Sequence, residues 1–132
     1  MSSNRERRSV ILVIEDEEET RHGMKRLLTA SGYHVATAKN EEEAVRGTCQ
    51  HSPDLILMSL SRDAVQVLPL ARRIRERVGV GEQVPVVVFS SPSLDEGAEV
   101  AVGHNVYVTR PDNFDQLRSL ISRLLRTPQP LG

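Results

Sequence analysis

Four short stretches of this chain place reactive side chains directly after an apolar run. Glu15-Asp16-Glu17 follows Val10–Ile14, and Ser59 ends the run that begins at Asp54. Ser90 follows Val84–Phe89, and Arg110-Pro111 follows Asn105–Thr109. Adjacent carboxylates can hold a hard divalent cation through oxygen. A serine hydroxyl is a weak nucleophile unless a base stands beside it. An arginine fork binds carboxylate or phosphate through paired hydrogen bonds. Each stretch also has a plain reading. Three acids suit the first turn of a helix, and a serine can simply pack at a strand end. His22, His34, His51 and His104 show no ligand spacing. Cys49 reads as a helix-face filler and Asp63 as a turn residue beyond the strand.

These groups need a scaffold that brings them to one place. Unbroken apolar runs of strand length bounded by turn signals predict strands buried on both faces, as in a parallel sheet. The first is Val10–Ile14, the central one runs from Asp54 to Ser59 after Pro53, and the fourth is Val84–Phe89. Tyr33 to Ala38 alternates loosely and predicts a more exposed second strand, and Asn105–Thr109 a fifth.

Between them lie helical patterns. Thr20, Met24, Leu27 and Leu28 predict a first helix from Glu18 to Ala30, ended by Ser31-Gly32. Asn40 with Glu43 opens a second helix, whose inner face carries Ala44, Val45, Thr48 and Cys49. Leu70, Ala71, Ile74 and Val78 face inward on a third, with Pro69 in its first turn. Ser93 with Glu96 reads as a capping box for a short fourth helix over Leu94 to Val102, weakened by Gly97. Asp112 is expected to cap a last helix with the stripe Leu117, Leu120, Ile121, Leu124 and Leu125. Five strands alternating with five helices predict an α/β fold: a five-stranded parallel sheet, doubly wound, with helices on both faces. In such sheets the chemistry gathers at the carboxyl ends of the strands, where all four stretches stand.

Composition narrows the function. The chain has 132 residues, 17 Lys plus Arg against 18 Asp plus Glu, and a single cysteine. Bulk charge does not point to nucleic acid or to a membrane surface. Few aromatics argue against a stacking platform for single strands. A lone cysteine without a signal peptide or a spanning apolar run suggests a cytoplasmic protein. The expected organisation is a basic arm over 1–8 with Arg5, Arg7 and Arg8, one domain over 9–126, and a disordered tail over 127–132.

The motifs together resemble a response regulator receiver domain, the phosphoacceptor module of two-component signalling, over about Ser9 to Arg126. Leu12-Val13-Ile14-Glu15-Asp16-Glu17 resembles the family's acidic-pair strand, and Pro53-Asp54-Leu55-Ile56-Leu57 the lead-in to its phosphoacceptor. Val84-Pro85-Val86-Val87-Val88-Phe89-Ser90 resembles the strand ending in a switch Ser/Thr. Tyr107-Val108-Thr109-Arg110-Pro111 resembles the aromatic switch and Lys-Pro ending. The resemblance implies a flavodoxin-like (βα)5 fold. It also implies an aspartate that takes a phosphoryl group, with Mg²⁺ on the acidic pair and a lysine on a phosphoryl oxygen.

This sequence departs from that plan at key positions. Read without gaps, the acceptor position is Ser59 and the lysine position is Arg110, whereas Glu15, Asp16, Ser90 and Tyr107 match. The loop Ser61–Val67 lacks the usual Pro and glycines. The segment from Ser90 to Gly103 is about two residues shorter than the family leads one to expect. The expected function is therefore that of an atypical stand-alone receiver: a phosphorylation-independent adapter or regulator that is not an enzyme. It would bind a protein partner through the fourth helix, fifth strand and last helix, with a homodimer left open. No cofactor is expected beyond weak Mg²⁺ at Asp16 and Glu15, and Arg110 is expected to bridge to one of those acids. The alternative is phosphotransfer or phosphatase-like chemistry at Ser59 with a residual Mg²⁺-binding acidic pocket. A flavin or nucleotide binder is disfavoured, because no glycine-rich loop follows the first strand.

Overall fold

The computed structural model describes residues 8–47, 52–59, 67–89 and 94–126. In chain order the elements are β1 (Val10–Ile14), α1 (Glu18–Ala30), β2 (His34–Ala38), α2 (Glu41–Gly47), β3 (Leu55–Ser59) and α3 (Val67–Val78). There follow β4 (Val86–Phe89), β5 (Glu99–Gly103), β6 (Val106–Thr109) and α4 (Phe114–Arg126). The strands form one sheet in the order β2-β1-β3-β4-β6-β5. All neighbours are parallel except β5, which pairs antiparallel with β6 at the sheet edge.

The apolar runs become strands because both faces of the sheet are covered. Leu12, Ile14, Ile56, Met58, Val86 and Val88 pack with Ala44 of α2 and Val67, Ala71 and Ile74 of α3. The alternate residues Ile11, Val13, Leu55, Leu57 and Val87 pack with Leu28 of α1 and Leu117, Leu120 and Ile121 of α4. A strand buried on both faces has no polar side to show, hence the unbroken hydrophobic runs.

Local signals set the helix ends. The Asn40 side chain accepts the Glu43 N–H at 2.8 Å, while the Glu43 carboxylate accepts the Lys39 N–H at 2.6 Å. This is a capping-box arrangement with Asn as the cap. Gly32 takes φ +102° after α1, and the Tyr33 N–H returns to the Leu28 carbonyl. The α4 cap is Asn113 rather than Asp112. The Asn113 side chain accepts the Gln116 N–H at 2.9 Å, and the Gln116 side chain accepts the Asp112 N–H at 2.7 Å.

The expected fourth helix over Leu94–Val102 is corrected: its second half is the strand β5, so the described residues form six strands and four helices. The reason is local. Gly97 and Gly103 take φ +86° and +100°, values foreign to a right-handed helix. His104 and Asn105 take φ 57° and 63°, and Gly103 pairs with Val106 across them. Two successive left-handed residues make the tight turn whose twist suits a β-hairpin. Glu99-Val100-Ala101-Val102 alternates as a strand should, with β-branched valines on one face. A bulge between Ala101 and Gly103 completes the turn back.

Several expectations lie outside the described residues. They concern Arg5 and Arg7, Cys49, His51, the loop with Asp63, Ser90, the Ser93 cap and the tail over 127–132.

Candidate functional site

Strand register assembles the carboxyl edge. Ile14 lies beside Met58, so Glu15 comes level with Ser59, the last residue of β3. Ser59 pairs with Phe89, and Phe89 with Thr109, so Arg110 stands one residue beyond that row. The backbone therefore brings Glu15, Asp16, Ser59 and Arg110 to one edge, as the spacing predicts. Tyr107 is two residues further back on β6. Its hydroxyl donates to the Asn105 side chain at 3.1 Å, toward the hairpin turn and away from that edge. Asp54 also has a structural task at the opposite edge: its carboxylate accepts the Val10 N–H at 2.8 Å and ties β1 to the start of β3.

The side chains at the carboxyl edge are less convergent than their backbones. Glu15 is only 8% exposed, and its carboxylate accepts the Glu17 N–H at 3.0 Å, closing the turn into α1. The Arg21 guanidinium donates to the Glu15 carbonyl at 3.0 Å and fixes the same turn. Asp16 is exposed, and Ser59 is half-buried. The expected bridge from Arg110 to Glu15 or Asp16 is not formed. The Arg110 guanidinium instead donates to the Leu94 carbonyl at 2.8 Å, and its backbone is laced to the same segment through Gly97 and Ala98. The segment preceding β5 has a helix-less backbone whose carbonyls need donors, and Arg110 supplies one.

A divalent cation fits this donor set poorly. Ser59 brings no charge, the Glu15 carboxylate is turned onto its own chain, and Asp16 is left as the one open anionic ligand of the three. Among the described residues no group of three or more His, Cys, Asp or Glu could hold a metal ion.

Two charged features escaped the sequence reading. Arg75 on α3 is only 4% exposed, and among the described residues its guanidinium bonds to backbone carbonyls rather than to a carboxylate. Its guanidinium donates twice to the Val84 carbonyl, at 3.1 and 2.7 Å, and once to the Asn105 carbonyl at 3.1 Å. Burial pushes its pKa below the ordinary arginine value, with the negative charge of Glu82 opposing the shift. Arg75 follows Ala71 by four residues and so shares its inward face, a signal present in the sequence. The second feature is Glu41, which receives both Arg73 and Arg77 and ties α2 to α3. The hydrogen bond from Arg73 holds its carboxyl below the usual carboxylate value, with Arg77 adding to the effect against partial burial.

With this geometry in place, the family is defined. The model for the response regulator receiver domain matches residues 11–122, and the chain belongs to that family. The chain is 28% identical over 121 residues to a probable transcriptional regulator, ycf27, of Cyanidium caldarium, covering 90% of this chain and 47% of that protein. It is 25% identical over 118 residues to the response regulator ArlR of Staphylococcus aureus (strain Mu50 / ATCC 700699), covering 88% and 52%. It thus spans about half the length of these curated relatives. Among solved structures, the signal receiver domain of a signal transduction histidine kinase from Syntrophus aciditrophicus is 26% identical, with a TM-score of 0.64, covering 94% of this chain and 98% of that one. The protein is a receiver domain of two-component signalling with a flavodoxin-like, predominantly parallel sheet. No helix among the described residues is long and apolar enough to cross a membrane.

Proposed function

We propose that this is an atypical receiver that does not take phosphate at the usual position and acts through protein binding. The observation that carries the proposal is Ser59 at the end of β3, level with Glu15, where the family's acceptor aspartate would stand. A hydroxyl without an adjacent base is a poor acceptor, and it removes the charged ligand that would draw Mg²⁺ to Asp16. The Glu15 and Arg110 side chains are already engaged with their own backbone, which supports a site held in one state. On this reading the domain is a cytoplasmic adapter or regulator without enzymatic activity, and its state is set by a partner rather than by a kinase.

The proposed partner face is carried onto the elements that stand at the expected positions. The expected surface of fourth helix, fifth strand and last helix becomes a surface of β5, β6 and α4. Its polar ties are Arg123 to Glu99 at 2.8 Å and the Gln116 amide to the Gly97 carbonyl at 2.7 Å. A receiver that senses phosphate should respond to beryllofluoride and Mg²⁺, which together mimic the phosphoryl group. The amide NMR spectrum is expected to stay unchanged on adding them. Saturable shifts at Ser59 and along β6 would overturn the proposal.

A further inference from the structure

The strand that replaces a helix leaves something a helix would not: an open sheet edge. Among the described residues β5 has a neighbour on one side only. The Arg110 N–H donates to the Ala98 carbonyl at 3.1 Å, so that carbonyl and, two residues on, the backbone groups of Val100, opposite Val108, face β6. Glu99 and Ala101 therefore turn theirs outward. Natural edge strands are usually blunted by lysine, proline, inward charges or bulges, and here the bulge lies only at the far end, between Ala101 and Gly103. Glu99–Gly103 carries one charge, Glu99, and that carboxylate is already taken by Arg123 of α4. Val100 shares a face with Val108 of the core and is still 41% exposed, one of the few large apolar side chains in the open.

We propose that β5 pairs antiparallel with β5 of a second copy, about a two-fold axis at Val100. The inference adds a partner to the protein-binding face proposed above, but it does not depend on the state of Ser59. An antiparallel pairing of identical strands is self-complementary and closes as a dimer without leaving a further open edge at the contact. The register follows from the residues. Centring on Val100 sets Glu99 against the partner's Ala101 and Ala101 against the partner's Glu99, so both outward residues of each copy exchange N–H and C=O. Centring on Glu99 would face two carboxylates. Centring on Ala101 would run the pairing into the bulge before Gly103. In the chosen register the two Val100 side chains meet across the axis and lose their exposure to water. The contact is short, below about 1,200 Å² in total, so the dimer is weak and concentration-dependent.

Sedimentation velocity across a concentration series, in a Cys49→Ser background, tests this. The wild-type pairing surface is expected to give a reversible monomer–dimer equilibrium. Val100→Lys places two like charges at the axis and should abolish the dimer while circular dichroism and melting stay unchanged. Ala101→Pro removes an outward N–H and should do the same. Facing residues of a non-hydrogen-bonded antiparallel pair have Cα atoms about 4.5 Å apart, within disulfide reach. Val100→Cys should therefore crosslink under mild oxidation, whereas Leu27→Cys, equally exposed on α1, should not. A monomer at every concentration overturns the proposal and leaves the edge to a partner's strand. A dimer that survives Val100→Lys and is not trapped by Val100→Cys also overturns it. Neither result bears on phosphorylation at Ser59, which is read separately by mass.

Discussion

The carboxyl edge and the β5–β6 hairpin stand in opposite relation to what the sequence leads one to expect. At the carboxyl edge the backbone is as expected, with Ser59 at a strand end and Arg110 just beyond one in the parallel register, and on the proposed reading the chemistry there is exchanged. In the hairpin the backbone itself differs from the helix expected there, yet Leu94 and Val102 pack against the core cluster beneath α3. Side-chain replacement at a strand end costs the fold little, since the ladder and both apolar faces are untouched. Replacing a helix by a strand changes the surface instead: a row of outward backbone groups appears where a closed helix would show none.

Arg75 ties α3 to the start of β4 and to the hairpin turn, and its removal is expected to be the most damaging change on the hairpin side. Arg75→Ala strips donors from the Val84 and Asn105 carbonyls and loses a buried stem. The expected cost in urea unfolding is about 2–3 kcal/mol. Loss below about 0.5 kcal/mol would show that the hairpin does not lean on α3 through this guanidinium.

Gly103 sharpens the hairpin side alone. Its φ of +100° is costly for any side chain, while nothing lies within 4 Å of an added Cβ. Gly103→Ala should therefore destabilise by about 1–2 kcal/mol through backbone strain, with no steric contribution. A neutral result would mean that β5 does not end in this turn.

The smallest effect belongs to Glu41, remote from both regions. Its carboxyl lies below its ordinary value because Arg73 and Arg77 favour the charged form. The stability it lends is full above the unfolded carboxylate pKa and is lost as pH falls through the lowered folded value. Glu41→Gln should flatten the acid limb of a pH–stability curve slightly, and high salt should shrink the difference. An unchanged acid limb would show that the Glu41–Arg73–Arg77 ties do not favour the charged form in solution.

What could be read ahead of the structure followed how far each signal reaches along the chain. The buried strands were legible because a run such as Leu55–Met58 is apolar on both faces, and α1 because its period and its Gly32 cap agree. The placement of Glu15, Ser59 and Arg110 at one edge followed from strand ends alone. The hairpin was not legible in the same way. Ser93 with Glu96 reads in the sequence as a helix start, while His104-Asn105 is a weaker turn signal than Asn-Gly. The orientations of the Glu15 and Arg110 side chains were also hidden. Each is decided by a backbone partner, the Glu17 N–H or the Leu94 carbonyl, that exists only after the local turn has formed.

The central claim is that the carboxyl edge keeps the receiver's layout without its acceptor. Incubation with acetyl phosphate and Mg²⁺, followed by intact mass and peptide mapping, tests it most directly. The account predicts no stoichiometric gain in mass. Addition of one phosphoryl group located at Ser59 would contradict it.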